Sequence, residues 1–202
     1  MCGFAGYAGE REYDTSVIRK MTDKIRHRGP DSQDAFVEGK VGLGFVRLSI
    51  IDLEGGSQPM FNEDKNLVLI FNGELYNFQD IRKELVEAGH VFTTHTDSEI
   101  LLHGYEEWGK EGLLGRLRGM FAFVIFDRTK KTLFGARDHF GIKPFYYYHK
   151  DGTFLFGSEI KSFLAHPDFQ KELFEEKLPD FMTFGCIPGA ETLFRNVYKL
   201  LP

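Results

Sequence analysis

The sequence predicts an α+β fold in which two antiparallel sheets pack together with helices outside them. Strand-like segments come in adjacent pairs joined by short polar turns, the pattern of antiparallel hairpins. Helical patterns are few and clustered, which excludes alternating βα units. The 202-residue chain is 15% aromatic with 21 Phe, and large flat side chains suit stacked pleated faces.

Residues 3–9 are small and apolar enough for a buried strand, its glycines permitting close approach of another backbone or a ligand. A helix follows from about Thr15, where Val17, Ile18, Met21 and Ile25 recur at helical spacing behind Asp14 as N-cap. The pattern stops at His27-Arg28-Gly29-Pro30-Asp31, a loop signature. Two strands flank Glu38-Gly39-Lys40, and 67–71 is a continuous apolar strand leading into Asn72-Gly73-Glu74. Asn77 is placed to cap the next helix, with Phe78, Ile81, Leu85 and Val86 on its inner face and Gly89 at its end. A second helix starts near Thr96-Asp97 and carries Ile100, Leu101 and Tyr105 towards Trp108-Gly109. Strands return at 121–127 and 132–138, then at 145–149 and 153–157 around Lys150-Asp151-Gly152. Residues 164–184 read as two short helical pieces broken by Pro167 and Pro179, and the tail from 185 shows no clear periodicity.

With 42% hydrophobic and 27% charged residues, the chain suits one globular domain with a sizeable core. A net charge of −5 and a single short basic cluster, Arg26-His27-Arg28, argue against a nucleic-acid surface. Cys2 and Cys186 are the only cysteines, too few for a disulfide framework or a cysteine zinc tetrad, and they fit a reducing compartment. No basic-then-apolar leader occurs and the longest apolar runs are far too short to span a bilayer, so a cytoplasmic location without membrane contact is expected.

The chemistry begins at Met1-Cys2-Gly3. Loss of the initiator methionine leaves a cysteine whose thiol and α-amine belong to one residue, a nucleophile with its own base. A free α-amine has a pKa of about 7.7–8.0, so part of it is neutral at physiological pH and able to accept the thiol proton. Taken alone, a small buried cysteine opening a strand is the commoner role. Arg47, where a strand becomes a loop, suits bidentate carboxylate binding, although an isolated arginine is more often a surface ion pair. Asn72-Gly73 ends an apolar strand, and an amide side chain with a glycine N–H there could form an oxyanion hole or simply a hairpin turn. Asp97 could hold an ammonium group, shared with Glu74, or sit in a first helical turn against the dipole. His90, His95 and His103 are spaced too irregularly for one helical metal face, so no metal is expected. Neither a phosphate-binding P-loop nor a nucleophile elbow occurs.

These segments fall into a known order. Cys2-Gly3-Phe4-Ala5-Gly6, His27-Arg28-Gly29-Pro30-Asp31, Arg47-Leu48-Ser49-Ile50-Ile51-Asp52, Asn72-Gly73-Glu74-Leu75-Tyr76-Asn77 and Thr96-Asp97-Ser98-Glu99 occur as in class II glutamine amidotransferases. Gly119-Met120-Phe121-Ala122-Phe123, Arg137-Asp138-His139-Phe140-Gly141-Ile142-Lys143-Pro144 and Ser158-Glu159-Ile160-Lys161 follow in the same order. Together they resemble the N-terminal glutaminase domain of glutamine-hydrolysing asparagine synthetase over essentially the whole chain.

The resemblance implies a four-layer αββα sandwich of the Ntn-hydrolase type, with 1–185 as the glutaminase domain and 186–202 as the start of a linker to a synthetase domain in cis. It implies Cys2 as nucleophile, Asn72 and the Gly73 N–H as oxyanion donors, Arg47 on the glutamine α-carboxylate, and Asp97 with Glu74 on the α-ammonium. Backbone groups of Leu48 and Ile50 are implied near the substrate. Arg137 and Asp138 are expected to be structural. L-glutamine is the implied substrate and a homodimer the implied assembly of the full enzyme. No cofactor is implied for this domain; ATP and Mg²⁺ belong to the synthetase part, whose Ser-Gly-Gly-x-Asp-Ser loop does not occur here. Two other readings stand beside it: the same glutaminase serving a different ammonia acceptor, and a non-catalytic module of the same fold.

Overall fold

The computed structural model describes residues 2–48 and 56–202. In chain order the elements are β1 (Gly3–Ala8), α1 (Thr15–Asp23), a 3₁₀ turn (Arg26–Arg28), β2 (Ser32–Glu38), β3 (Val41–Arg47), β4 (Met60–Phe61) and β5 (Leu67–Leu75). Then come α2 (Phe78–Glu87), α3 (Glu99–Arg116), β6 (Gly119–Asp127), β7 (Thr132–Arg137), β8 (Tyr146–Lys150) and β9 (Thr153–Gly157). A 3₁₀ segment (Ile160–Ala165), a 3₁₀ turn (Glu175–Lys177), α4 (Leu178–Phe184) and β10 (Val197–Lys199) complete the described chain.

Strand alternation builds the layers. One sheet runs β10-β8-β9-β1-β3-β2 and the other β4-β5-β6-β7, with every named strand pair antiparallel. Val68 and Ile70 of β5 face the other sheet and pack with Phe4, Phe45 and Val124, while Leu69 and Phe71 face the opposite way onto Ile81, Leu85 and Ile100 of α2 and α3. On the outer face of the six-stranded sheet, Ala5, Tyr7 and Val46 meet Ile18 and Met21 of α1. The order is helix, sheet, sheet, helix, as expected. Asp14 caps α1 by accepting from the Ser16 N–H at 2.7 Å. Among the described residues no helix is long and apolar enough to cross a membrane.

Several local expectations are corrected. Asn72-Gly73 is neither a turn nor a strand end, because β5 runs on to Leu75 in full register with β6. Asn77 does sit at the N-terminus of α2, yet its side chain bridges elsewhere, donating to the Arg116 carbonyl and accepting from the Arg118 N–H, both at 2.9 Å. Val86 is exposed, so the inner face of α2 is narrower than expected. Asp97 precedes α3 and lies outside its first turn, and Gly109, with φ 67°, kinks that helix. Pro179 occupies the first turn of α4, a position that lacks an intrahelical N–H partner anyway, so it starts the helix where it was expected to break one. Residues 186–202 are the stretch that the resemblance reads as the start of a linker. They supply β10, which pairs with β8 at the edge of the six-stranded sheet, and bury Val197.

Arg137 and Asp138 tie the end of β7 to the loop that follows it. Asp138 is fully buried and accepts from the N–H groups of Phe121, Phe140, Ile142 and Lys143 at 2.9–3.2 Å. Burial alone would raise its pKa, but these donors overcome that and hold it below the usual carboxylate range. Arg137 donates to the carbonyls of Gly141, Lys143 and Leu200. Asp138→Ala orphans several buried donors and should cost about 3–5 kcal/mol by denaturant unfolding. A depressed folded pKa stabilises above the unfolded value of about 3.9. That contribution is lost as pH falls through the folded value, so the wild type should lose more stability than the variant on acidification.

Candidate active site

Antiparallel pairing brings the chain's start beside the end of β3. Gly3 pairs with Val46, so Cys2, one residue earlier, reaches Arg47 and Leu48. Cys2 Sγ accepts from the Leu48 N–H at 3.4 Å and donates to the Leu48 carbonyl at 3.5 Å. A thiolate there would keep the N–H contact and lose the one to the carbonyl.

Two motifs with no evident chemistry hold this residue in place. Arg28 donates from Nε to the Cys2 carbonyl and from Nη1 to Glu159, both at 3.0 Å. Glu159 is further engaged by His27 at 2.9 Å and Lys161 at 3.1 Å. Ser158 Oγ accepts from the Phe4 N–H at 3.0 Å. Asp31 N–H closes on the Arg47 carbonyl at 3.0 Å. The loops after α1 and β9 therefore fix the backbone on both sides of the thiol.

The cavity beside Cys2 holds about 150 Å³, and Arg47, Leu48, Gly73, Glu74 and Asp97 share its wall with Gln58, Thr96 and Ser98. Gly56 belongs to it as well: its φ of +71° suits glycine, and a Cβ there would lie 2.6 Å from Thr96 Cγ2 and 3.7 Å from Arg47 Nη2.

The edge of β5 explains how Gly73 faces this space. Phe121, its partner on β6, turns both backbone groups towards Asp138, donating to Oδ2 and accepting from the Asp138 N–H. Gly73 and Phe121 are thus a non-hydrogen-bonded pair, and the Gly73 N–H points to the opposite edge. Its neighbours in phase confirm the direction, since the Phe71 N–H meets Gln58 Oε1 and the Leu75 N–H meets Asp97 Oδ2 at 2.9 Å. Between them the Gly73 N–H projects among Gln58, Asp97 and the cavity. A Cβ at Gly73 would meet Met120 O at 2.5 Å, so only glycine fits.

Asn72 is on the face of β5 that meets the other sheet, in phase with Val68 and Ile70, and Cys2 packs against that same inter-sheet core. It is 2% exposed, it is not part of the cavity wall, and its Nδ2 makes no hydrogen bond. A buried amide donor without a partner is rare and costs about 1–3 kcal/mol.

Asp97 is half-buried, and burial pushes its pKa up; the Leu75 N–H pulls the other way, and the neighbouring Glu74 carboxylate adds to the rise. Ionised Asp97 therefore costs the fold stability above the ordinary carboxylate pKa, and that cost disappears as pH falls through the raised value. A cation between the two carboxylates would reverse it.

The expected residues Cys2, Arg47, Leu48, Gly73, Glu74 and Asp97 thus share one cavity, Asn72 is buried close behind it, and Ile50 lies outside the described residues. The sequence did not point to Arg28, Gln58, Gly56, Thr96 or Ser98. Arg28, Thr96, Ser98 and Ser158 sit within motifs that carried the resemblance, and that was their one signal. The histidines also differ from expectation: His90 and His103 converge, with Nδ1 atoms 3.2 Å apart, while His95 is exposed.

The family model for the glutamine amidotransferase domain matches residues 1–202. The chain belongs to that family. Over 208 residues it is 43% identical to asparagine synthetase [glutamine-hydrolyzing] 1 of Bacillus subtilis, covering 100% of this chain and 32% of that protein. It is 36% identical to the putative asparagine synthetase [glutamine-hydrolyzing] 2 of Methanocaldococcus jannaschii, over 99% of this chain and 42% of that one. This amidotransferase domain thus spans about a third of the Bacillus relative it matches. Its fold is shared with glutamine phosphoribosylpyrophosphate amidotransferase of B. subtilis, at TM-score 0.66 and 23% identity over 81% of this chain and 43% of that one. That likeness shows a shared fold, two antiparallel sheets between helices.

Proposed function

We propose that this domain hydrolyses the side-chain amide of L-glutamine to glutamate and ammonia with Cys2 as nucleophile. One cavity joining the N-terminal thiol to a guanidinium and two carboxylates carries the reading. Arg47 takes the α-carboxylate, Asp97 and Glu74 take the α-ammonium, and the amide carbon then lies towards Sγ. The α-amine of Cys2, freed of Met1, accepts the thiol proton as sulfur attacks the carbonyl. The developing oxyanion receives Asn72 Nδ2 and the Gly73 N–H. Collapse returns the proton to the departing nitrogen and releases ammonia, leaving a thioester; water attacks it and frees glutamate and the thiol. Arg28 acts as a positioning residue through the Cys2 carbonyl.

In the longer protein, the released ammonia serves ATP-dependent conversion of aspartate to asparagine by a synthetase domain in cis. The synthetase names and greater length of the relatives support that reading.

The test is a steady-state assay of glutamate release with Asp97→Asn. Losing one charge-assisted contact should raise KM by roughly 10–100-fold with a much smaller change in kcat. In the wild type KM should rise as pH falls through the raised Asp97 pKa, and the variant should lose that dependence. Without glutamine the variant should be at least as stable as the wild type, because the buried charge is gone. An unchanged KM would remove Asp97 from the ammonium site.

A further inference from the structure

The turn before β5, the loop after α2 and the N-terminal half of α3 meet at a cluster of nitrogen and oxygen donors. His90 Nδ1 and His103 Nδ1 are 3.2 Å apart, and Glu106 Oε2 is 3.4 Å from His103 Nδ1. All three ligand atoms lie within 4.8 Å of one another, and Glu63 Oε1 approaches His103 Nδ1 at 3.7 Å. Two ligands of a tetrahedral zinc ion, each at about 2.0–2.1 Å, stand about 3.3 Å apart, so the donors already have the spacing of a coordination shell.

The outer contacts fit that arrangement. His90 Nε2 is 3.1 Å from Glu107 Oε2 and His103 Nε2 is 3.7 Å from Glu99 Oε1, so each imidazole has a carboxylate behind it and turns its Nδ1 inward. Asn62 donates to Glu106 Oε1 at 2.6 Å, which leaves Oε2 facing the histidines. Phe92 packs edge-on against His103 and closes one side, while Glu63 and Glu106 are partly exposed and give an ion a path from solvent.

We propose that His90, His103 and Glu106 form a binding site for a divalent transition metal of the zinc class, with Glu63 or a water as fourth ligand. The site is structural. Glu99 holds the Thr93 and Thr94 N–H groups, both at 2.7 Å, so the metal would tie α3 to the loop that carries Asp97 and to the turn before β5. The competitor is a proton: burial lowers the His103 pKa, but Glu106 and Glu99 more than offset this and raise it to about 9.

The test uses the whole chain carrying Cys2→Ala, which removes the thiol that would let the N-terminus compete as a chelator, titrated with Zn²⁺ and Co²⁺. One equivalent should bind with a tetrahedral cobalt spectrum free of sulfur charge-transfer bands, and zinc should raise the melting temperature. His90→Gln and Glu106→Gln should each weaken binding by at least about 100-fold, and the exposed Glu107→Gln by about tenfold. Circular dichroism keeps a folding defect from passing as lost binding. No stoichiometric binding to the folded protein would mean that a proton alone occupies the cluster. Undiminished binding in folded His90→Gln and Glu106→Gln would place the metal elsewhere, and either result overturns the proposal.

Discussion

Replacing Cys2 with alanine should lower glutamate release by roughly 10⁴–10⁶-fold, the range expected when an enzyme loses its only nucleophile. Among the described residues, nothing else near the cavity offers a substitute. Thr96 and Ser98 line it, but their hydroxyls are linked to each other at 2.9 Å and onward to Thr94 and Glu99. Neither has a base of the kind the terminal amine provides. Glutamine should still bind the variant, because Arg47, Glu74 and Asp97 are untouched, and isothermal titration would show it. The stability cost should be small, within about 1 kcal/mol, since Cys2 is half-buried and, among the described residues, its sulfur hydrogen-bonds to a single backbone unit, that of Leu48. A protein that binds glutamine, melts normally and does not turn over locates the defect in the chemical step. An alanine variant as fast as an active wild type would rule out Cys2 as the nucleophile, and a wild type that binds glutamine without turning it over would favour the non-catalytic module.

Asn72→Ala should lower kcat by roughly 10²–10³-fold, equivalent to about 2.7–4 kcal/mol of transition-state stabilisation, with KM little changed. The split follows from the geometry. Asn72 is not part of the wall that faces the amino-acid head group, and its buried Nδ2 has no partner in the resting protein. Its hydrogen bond is therefore gained when negative charge develops on the substrate oxygen. A buried donor left unsatisfied is a cost to the fold, so the alanine variant should be no less stable than expected for a cavity of a few atoms. Asn72→Asp should be worse for kcat, because a carboxylate facing the oxyanion repels it. A fall in stability as large as the fall in rate would instead assign Asn72 to the core.

Much of the scaffold was legible in local pattern. The continuous apolar runs of β5 and β6, the cap at Asp14 and the hairpin at Lys150-Asp151-Gly152 are signals carried within a few residues, and the structure follows them. What stayed hidden depends on contacts across the chain. Arg28 finds its partner Glu159 131 positions away, and nothing local distinguishes it from a solvated arginine. Asn72-Gly73 reads as a turn by composition, but β6 supplies a partner strand long enough to keep it extended. Residues 197–199 lack a strand pattern of their own and become a strand by pairing with β8. His90 and His103 looked unrelated on a helical wheel because only one of them is on a helix. At the site, Cys2, Arg47, Gly73, Glu74 and Asp97 were readable because each carries chemistry in a recognisable motif. Gln58 was not, since an amide that holds the Phe71 N–H has no signature in one dimension.

The most direct measurement compares two preparations of the same chain, one bearing Met1 and one processed to Cys2, each verified by intact mass and assayed for glutamate release. The terminal amine must be free to take the thiol proton, so the processed protein should turn over glutamine and the Met1-bearing protein should be close to inactive. Equal activity in a sample shown to retain Met1 would contradict the mechanism.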